Sequence, residues 1–247
     1  MNRAKLEEFV DQNGETLDEA EALATLGNRF CSAEICVAIA QSTRLASFYA
    51  VRVALVANRH TPQAYSLKFV PQLYRRDLLV LSTDMKVLPT VRRAIDNQLR
   101  AMLKRLTLGE RMTLARLCSR EMIPDFLDDP DPKVFEALLV NPRLREEEVV
   151  RFIDMGNAPD DQIRLLSSHP RWRERYAVRR ALVMNEGTPR AIAASMLRSL
   201  NRSDVQLLFS SKKTSRYLLN CIERLGLLAE PGDGERLAPW KASEADE

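Results

Sequence analysis

Apolar residues recur along this chain at helical spacing, in runs too short for long helices. On a helix through 171–184, Trp172, Tyr176 and Val183 fall on one stripe, with Ala177, Ala181 and Met184 nearly opposite. A helix apolar on two sides is sandwiched between neighbours. The next segment is more one-sided: Ala191, Ile192, Ser195 and Met196 face in, while Arg190 and Arg198 stay wet. The pattern predicts helices near 4–11, 15–26, 32–41, 45–57, 62–70, 75–83, 87–105, 109–118, 120–127, 132–140, 145–154, 160–168, 171–184, 189–200, 203–209 and 212–226. No alternating strand pattern with hairpin signals occurs, so the expected class is all-α.

The chain also repeats itself. Tyr49 to Ala64 reads YAVRVALVANRHTPQA, and Tyr176 to Ala191 reads YAVRRALVMNEGTPRA. At the same offset the match continues thinly through Leu73/Leu200, Arg75/Arg202, Asp77/Asp204 and Leu81/Leu208. Each block reads as helix, corner, helix. Asn58 or Asn185 ends the first helix, since asparagine tolerates the left-handed conformation. Thr61-Pro62 or Thr188-Pro189 opens the second, threonine as cap and proline at the first helical position. A corner this short forces the two helices into a hairpin. Asn141-Pro142, the DDPDP turn at 128–132 and Ser168-His169-Pro170 supply further breaks. Spacings of this size predict an α-solenoid of short helical hairpins with two related halves.

The stretch DPDPKVFEALLVNPRLREEEVVRFI, 129–153, resembles the leucine-rich-repeat variant, a bacterial HEAT-like repeat of alternating α and 3₁₀ helices. That family's pattern is a D-P pair, a Val-rich helix, Asn-Pro, often Thr-Pro, then a second short helix. Residues 176–197 and 49–70 follow it, with Glu186 and Arg59 where the family has proline. The likeness covers most of 29–226 and implies a HEAT-like solenoid in a bacterial protein. Some such proteins carry a cysteine-rich iron–sulfur module; this chain has no such cluster, so no cofactor is expected. The expected organisation is an acidic helical cap at 1–28, a first array at 29–105, a second array continuous with it at 106–229, and an acidic disordered tail at 230–247.

Composition narrows the function. No apolar run approaches the roughly 18–20 residues of a membrane span, and MNRAKLEEFVDQNGE lacks a secretory signal's apolar core. The expectation is a cytoplasmic protein. Cys31, Cys36, Cys118 and Cys221 form no CxxC pair and read as small buried hydrophobes. With His60 and His169 the only histidines, nothing has metal-ligand spacing, and no metal site is expected. There is no phosphate loop, no G-x-S-x-G and no H-E-x-x-H, so the chain does not read as an enzyme. Asp128, Asp129 and Asp131 read as a turn that charges the following helix start favourably.

Charge is unevenly spread. Residues 1–25 carry net −5 and 230–247 net −4; 86–120 carry +7, 121–162 carry −8, and 163–229 carry +9. Such patches steer partners. Arginines crowd 171–180 beside Trp172 and Tyr176, and Arg179 lies three residues after Tyr176, as Arg52 does after Tyr49. Arginine stacked on a ring can hold a carboxylate or phosphate. Tyr49, Arg52, Arg171, Trp172, Arg173, Arg175, Tyr176, Arg179 and Arg180 are therefore the candidate partner-binding residues. The alternative is that each arginine bridges to a neighbouring acid or carbonyl, which recurrence at both places also predicts. The functional expectation is a non-catalytic scaffold for protein–protein interaction, holding an acidic partner. Nucleic-acid binding through a basic concave surface is the alternative, opposed by the acidic block at 121–162.

Overall fold

Short helices follow from how often this sequence supplies a start signal. Asp18 accepts from Glu21 N–H at 2.7 Å while Glu21 accepts from Asp18 N–H at 3.0 Å, a reciprocal capping box. Ser32, Ser42, Asn201 and Ser215 accept from backbone N–H groups of the turns that follow them. The computed structural model describes Glu8, residues 17–156 and residues 158–228. Among the described residues there are seventeen α-helices, four 3₁₀ turns and no strand, so the chain is all-α. The segment near 4–11, apart from Glu8, and the 230–247 tail lie outside the described residues.

The chain divides into two compact units, residues 1–143 and 144–247. Unit 1 runs α1 (Glu19–Leu26), α2 (Ala33–Gln41), α3 (Thr43–Ser47), α4 (Tyr49–Ala57), α5 (Gln63–Phe69), α6 (Arg75–Thr83), α7 (Pro89–Met102), α8 (Leu108–Leu117), α9 (Ile123–Leu127) and α10 (Pro132–Leu139). Its core holds Ile35, Leu55, Leu78, Ile95, Leu99, Phe126 and Phe135. Helix α8 packs along α10, and α6 along α7. Unit 2 runs α11 (Glu146–Asp154), α12 (Asp160–Ser168), α13 (Pro170–Arg173), α14 (Tyr176–Met184), α15 (Arg190–Met196), α16 (Arg202–Ser210) and α17 (Arg216–Arg224). Trp172, Val178 and Leu182 are buried there, as is a cluster formed by Val183, Ala193, Leu197, Val205, Leu208, Leu218 and Ile222.

Helix starts recur at one offset, the one that carries Tyr49 onto Tyr176. Helices begin at Glu19, Ala33, Thr43, Tyr49, Gln63, Arg75 and Pro89, and again at the shifted positions Glu146, Asp160, Pro170, Tyr176, Arg190, Arg202 and Arg216. The 3₁₀ turns Val70–Gln72 and Leu197–Ser199 obey the same offset. Residues 103–143, which include α8, α9 and α10, belong to unit 1 and have no counterpart among the described residues of unit 2.

Four local expectations are corrected. The single helices expected at 45–57 and 171–184 are each broken in two. Phe48 (φ −72°, ψ 127°) and Arg175 (φ −80°, ψ 121°) are extended and separate α3 from α4 and α13 from α14. Each break frees carbonyls, and an arginine one turn on meets one of them: Arg52 Nη2 donates to Ser47 O at 3.3 Å, and Arg179 Nη1 to Arg173 O at 3.1 Å. The corner asparagines are not left-handed either. Asn58 and Asn185 sit at φ −80°, ψ 122° and φ −80°, ψ 123°. Their side chains bond in two directions instead. Each Oδ1 accepts from the N–H two residues on, at 2.8 Å from His60 and 2.7 Å from Gly187. Each Nδ2 donates to the carbonyl near the end of an earlier helix, Leu26 for Asn58 and Ile153 for Asn185. Asn141 repeats the device, donating to Ala115 O at 2.8 Å and accepting from Arg143 N–H at 2.8 Å.

Thr61 and Thr188 are buried rather than capping, and the N-caps of α5 and α15 are Pro62 and Pro189, which have no side chain to cap with. On α15 the buried position is Ala193, followed by Leu197 at the start of the 3₁₀ turn, while Ala191 and Ser195 are exposed.

Candidate functional site

The sequence-predicted residues form two fastenings and a core post. Tyr49 Oη donates to Asp77 and accepts from Tyr74 N–H at 2.8 Å, tying the start of α4 to the start of α6. Tyr176 Oη donates to Asp204 and accepts from Asn201 N–H at 3.1 Å, tying α14 to α16. Arg52 lies 5.7 Å from the Tyr49 ring centroid and donates to Gln72 at 2.8 Å; Arg179 lies 5.9 Å from that of Tyr176. Arg180 Nε adds a 2.8 Å ion pair to Asp204. That pair is the leading reason the Asp204 carboxyl lies below its usual range and the Arg180 guanidinium above its own. Burial raises the Tyr176 hydroxyl, with the Asp204 bond second.

Trp172 is 1% exposed and belongs to the core, so its ring presents no surface to a partner. Arg171 stacks over it at 4.3 Å and donates to Leu144 O at 2.9 Å. Arg175 reaches Glu146 at 3.8 Å, and Arg173 reaches Glu174 at 3.2 Å. Each of the six arginines therefore has an intramolecular partner.

A different place in unit 1 has the form of a binding site. Helices α6 and α8 form the walls of a groove of about 760 Å³. Leu79, Val80, Leu114 and Leu117 make it apolar, and Val80 and Leu117 remain 62% and 49% exposed. Large apolar side chains left this open mark interaction surfaces when they cluster in a concavity. Arg75, Arg76 and Arg143 stand around the rim, with Glu110 the single acid in the lining. Glu110 is already committed. It accepts from Thr107 N–H at 2.9 Å in a capping box and pairs with Arg75 at 2.7 Å. Those bonds, Thr107's first, hold its carboxyl below the usual glutamate range. Among the described residues, Arg76 and Arg143 have no carboxylate within ion-pair distance. The groove therefore carries an uncompensated positive rim over an apolar floor.

A smaller hollow of about 270 Å³ lies in unit 2 between the end of α14 and the start of α17. Its Lys213 is 3.7 Å from Glu186, which offsets the charge. Cys31, Cys36 and Cys118 are buried and Cys221 half-buried. No group of three or more His, Cys, Asp or Glu able to hold a metal ion occurs among the described residues. No described helix is long and apolar enough to cross a membrane.

Sequence reasoning missed the groove because its two walls come from separate stretches of the chain. One signal was present: Leu79-Val80 follows closely on Arg75-Arg76 within a predicted helix, and α8 falls inside the basic 86–120 stretch. No model of a known family, no curated protein and no solved structure matches this chain.

Proposed function

We propose that the protein is a non-catalytic helical-repeat scaffold whose α6–α8 groove holds an acidic, amphipathic segment of a partner protein. The observation that carries this reading is the pairing of an exposed apolar floor, Val80 and Leu117, with Arg76 and Arg143 left without carboxylates. A helix laying apolar side chains at i and i+3 or i+4 on that floor brings its flanking Asp and Glu to the rim. The apolar contact supplies most of the affinity and the arginines supply orientation and encounter rate. The architecture we infer is a HEAT-like solenoid of the leucine-rich-repeat-variant kind, built from two related halves. Helix starts that recur at one constant offset, and asparagines that tie one helix end to an earlier one, support it. Such stacks present surfaces for binding rather than for chemistry.

The test is a titration of the full chain with a fluorescently labelled acidic amphipathic helical peptide. Micromolar binding is expected, weakened about tenfold or more by Val80→Glu or Leu117→Glu and several-fold by Arg76→Glu. Arg175→Glu, on unit 2, is expected to leave it unchanged. Equal binding by the groove variants and the parent overturns the assignment. Preferential binding of a random oligonucleotide, with a steep salt dependence, replaces it with a phosphate-binding reading.

A further inference from the structure

Two thiols meet where α2 begins. Cys31 precedes the N-cap Ser32, and Cys36 is the fourth residue of the helix. These positions are the two ends of a hydrophobic staple, which packs the residue before the cap against the fourth helical residue. Here the staple is made of sulfur: Cys31 Sγ and Cys36 Sγ are 3.5 Å apart, with the residues 3% and 0% exposed. Under the offset that relates the two units, the counterpart positions are Ala158 and Ile163, beside a helix that starts at the matching residue, Asp160. The helix start therefore works with carbon at these positions, and the dithiol is an addition made in unit 1 alone.

The surroundings favour a thiolate at one of the two. The S–H of Cys31 holds the Cys36 thiol down at about 7 against the cost of burial. Cys31 is displaced upward, first by its bond to Cys36 and then by burial. Cys118, 0% exposed, has no second thiol beside it; Asn141 Nδ2 donates to its Sγ at 3.3 Å, and burial pushes its thiol up to about 12.

We propose that Cys31 and Cys36 form a peroxide-responsive dithiol that closes reversibly to an intramolecular disulfide. Because both residues are buried, the oxidant proposed is a small hydroperoxide rather than a bulky disulfide. The Cys36 thiolate attacks the terminal peroxide oxygen, an S–O bond forms, the O–O bond breaks, and the alkoxide or hydroxide leaves as alcohol or water with a proton. Cys31 then attacks Cys36 Sγ. The S–S bond forms, the S–O bond breaks, and hydroxide departs with the Cys31 proton as water. Two thiols are oxidised and one hydroperoxide is reduced. The pair must close from 3.5 Å to about 2.05 Å.

The experiment exposes the full chain to stoichiometric hydrogen peroxide, alkylates free thiols and maps peptides without reduction. The expected product is a Cys31–Cys36 peptide lighter by two hydrogens, restored by dithiothreitol, with Cys36 reacting about tenfold or more faster than Cys118. In Cys31→Ala, which keeps the alanine used at 158, the sulfenic acid on Cys36 accumulates and is trapped by dimedone. The double variant Cys31→Ala, Cys36→Ile keeps the staple of unit 2; it is expected to fold as the parent does and to lose the response. Oxidation at Cys36 no faster than at Cys118 overturns the proposal. So does a parent whose first disulfide joins two chains through the half-buried Cys221.

Discussion

Helices α7 and α17 begin at matched positions, Pro89 and Arg216, yet their surroundings differ. In unit 1, α7 buries Val91, Ile95, Asp96 and Leu99; in unit 2, α17 buries only Leu218 and Ile222, at the positions of Val91 and Ile95. In unit 1 the 3₁₀ turn at Arg120–Met122 packs against α7. The same stretch supplies α8, the wall that faces α6. Val80 and its counterpart Leu207 are both well exposed, at 62% and 56%, but among the described residues Val80 alone of the two looks across a groove, at Leu117. A shared helical frame does not by itself make a site; in unit 1 the facing helix α8 completes it.

The comparison can be broken most severely in the core. Leu45 and Trp172 occupy matched positions, each 1% exposed. Trp172→Ala is expected to cost about 4 kcal/mol and Leu45→Ala about 3 kcal/mol by chemical denaturation, because the larger side chain leaves the larger cavity. Reversal of that order contradicts the matched roles.

Next comes the buried acid. Burial raises the Asp96 carboxyl to about 6, and Glu121 adds to the effect. Its counterpart Glu223 is exposed. A carboxyl with a raised folded-state pKa binds its proton more tightly in the folded chain. Its favourable contribution is complete below about 3.8 and disappears as pH rises through about 6. Asp96→Asn is therefore expected to stabilise by up to about 3 kcal/mol at pH 8 and by nothing below pH 3.8. Glu223→Gln is expected to change stability little at either pH. Melting curves of both variants at the two pH values decide this.

The smallest effect concerns the tyrosine fastenings. Asp204 is held by Tyr176 and Arg180, whereas Val53 stands where Arg180 does, leaving Asp77 without that guanidinium. Asp204 is depressed, so its contribution is present above its usual 3.8 and lost as pH falls through the lower folded value. Asp204→Asn is expected to cost about 2 kcal/mol at pH 7 and Asp77→Asn about 1 kcal/mol. Arg180→Val is expected to cost under about 1 kcal/mol, because the guanidinium is 46% exposed and water screens the pair. It also flattens the acid limb. Equal losses at Asp77 and Asp204 contradict the assigned role of Arg180.

Identity alone exposed the frame only where side chains match, from Tyr49 to Ala64 and thinly through Leu73/Leu200, Arg75/Arg202, Asp77/Asp204 and Leu81/Leu208. Beyond it the counterparts share burial or capping rather than residue type: Leu45 with Trp172, Cys36 with Ile163, Asp18 with Arg145. The breaks at Phe48 and Arg175 are invisible to periodicity, since one extended residue hardly shifts a short apolar stripe. The asparagine corners were legible as corners, but their bond to an earlier helix end depends on packing between segments that are not neighbours in sequence. Aromatic–arginine proximity was read correctly for Tyr49 with Arg52 and Tyr176 with Arg179. Proximity did not disclose the bonds of Tyr49 and Tyr176 to Asp77 and Asp204, which join segments distant in sequence. The groove was illegible because the exposure of Val80 and Leu117 follows from what stands opposite each.

Amide hydrogen exchange on the full chain, with and without the acidic amphipathic peptide, tests the functional assignment most directly. The account predicts added protection along 76–83 and 113–117, and no change along 202–210, where the matched helix carries Leu207 but has no facing wall among the described residues. Equal protection of both segments, or protection confined to 171–180, contradicts it.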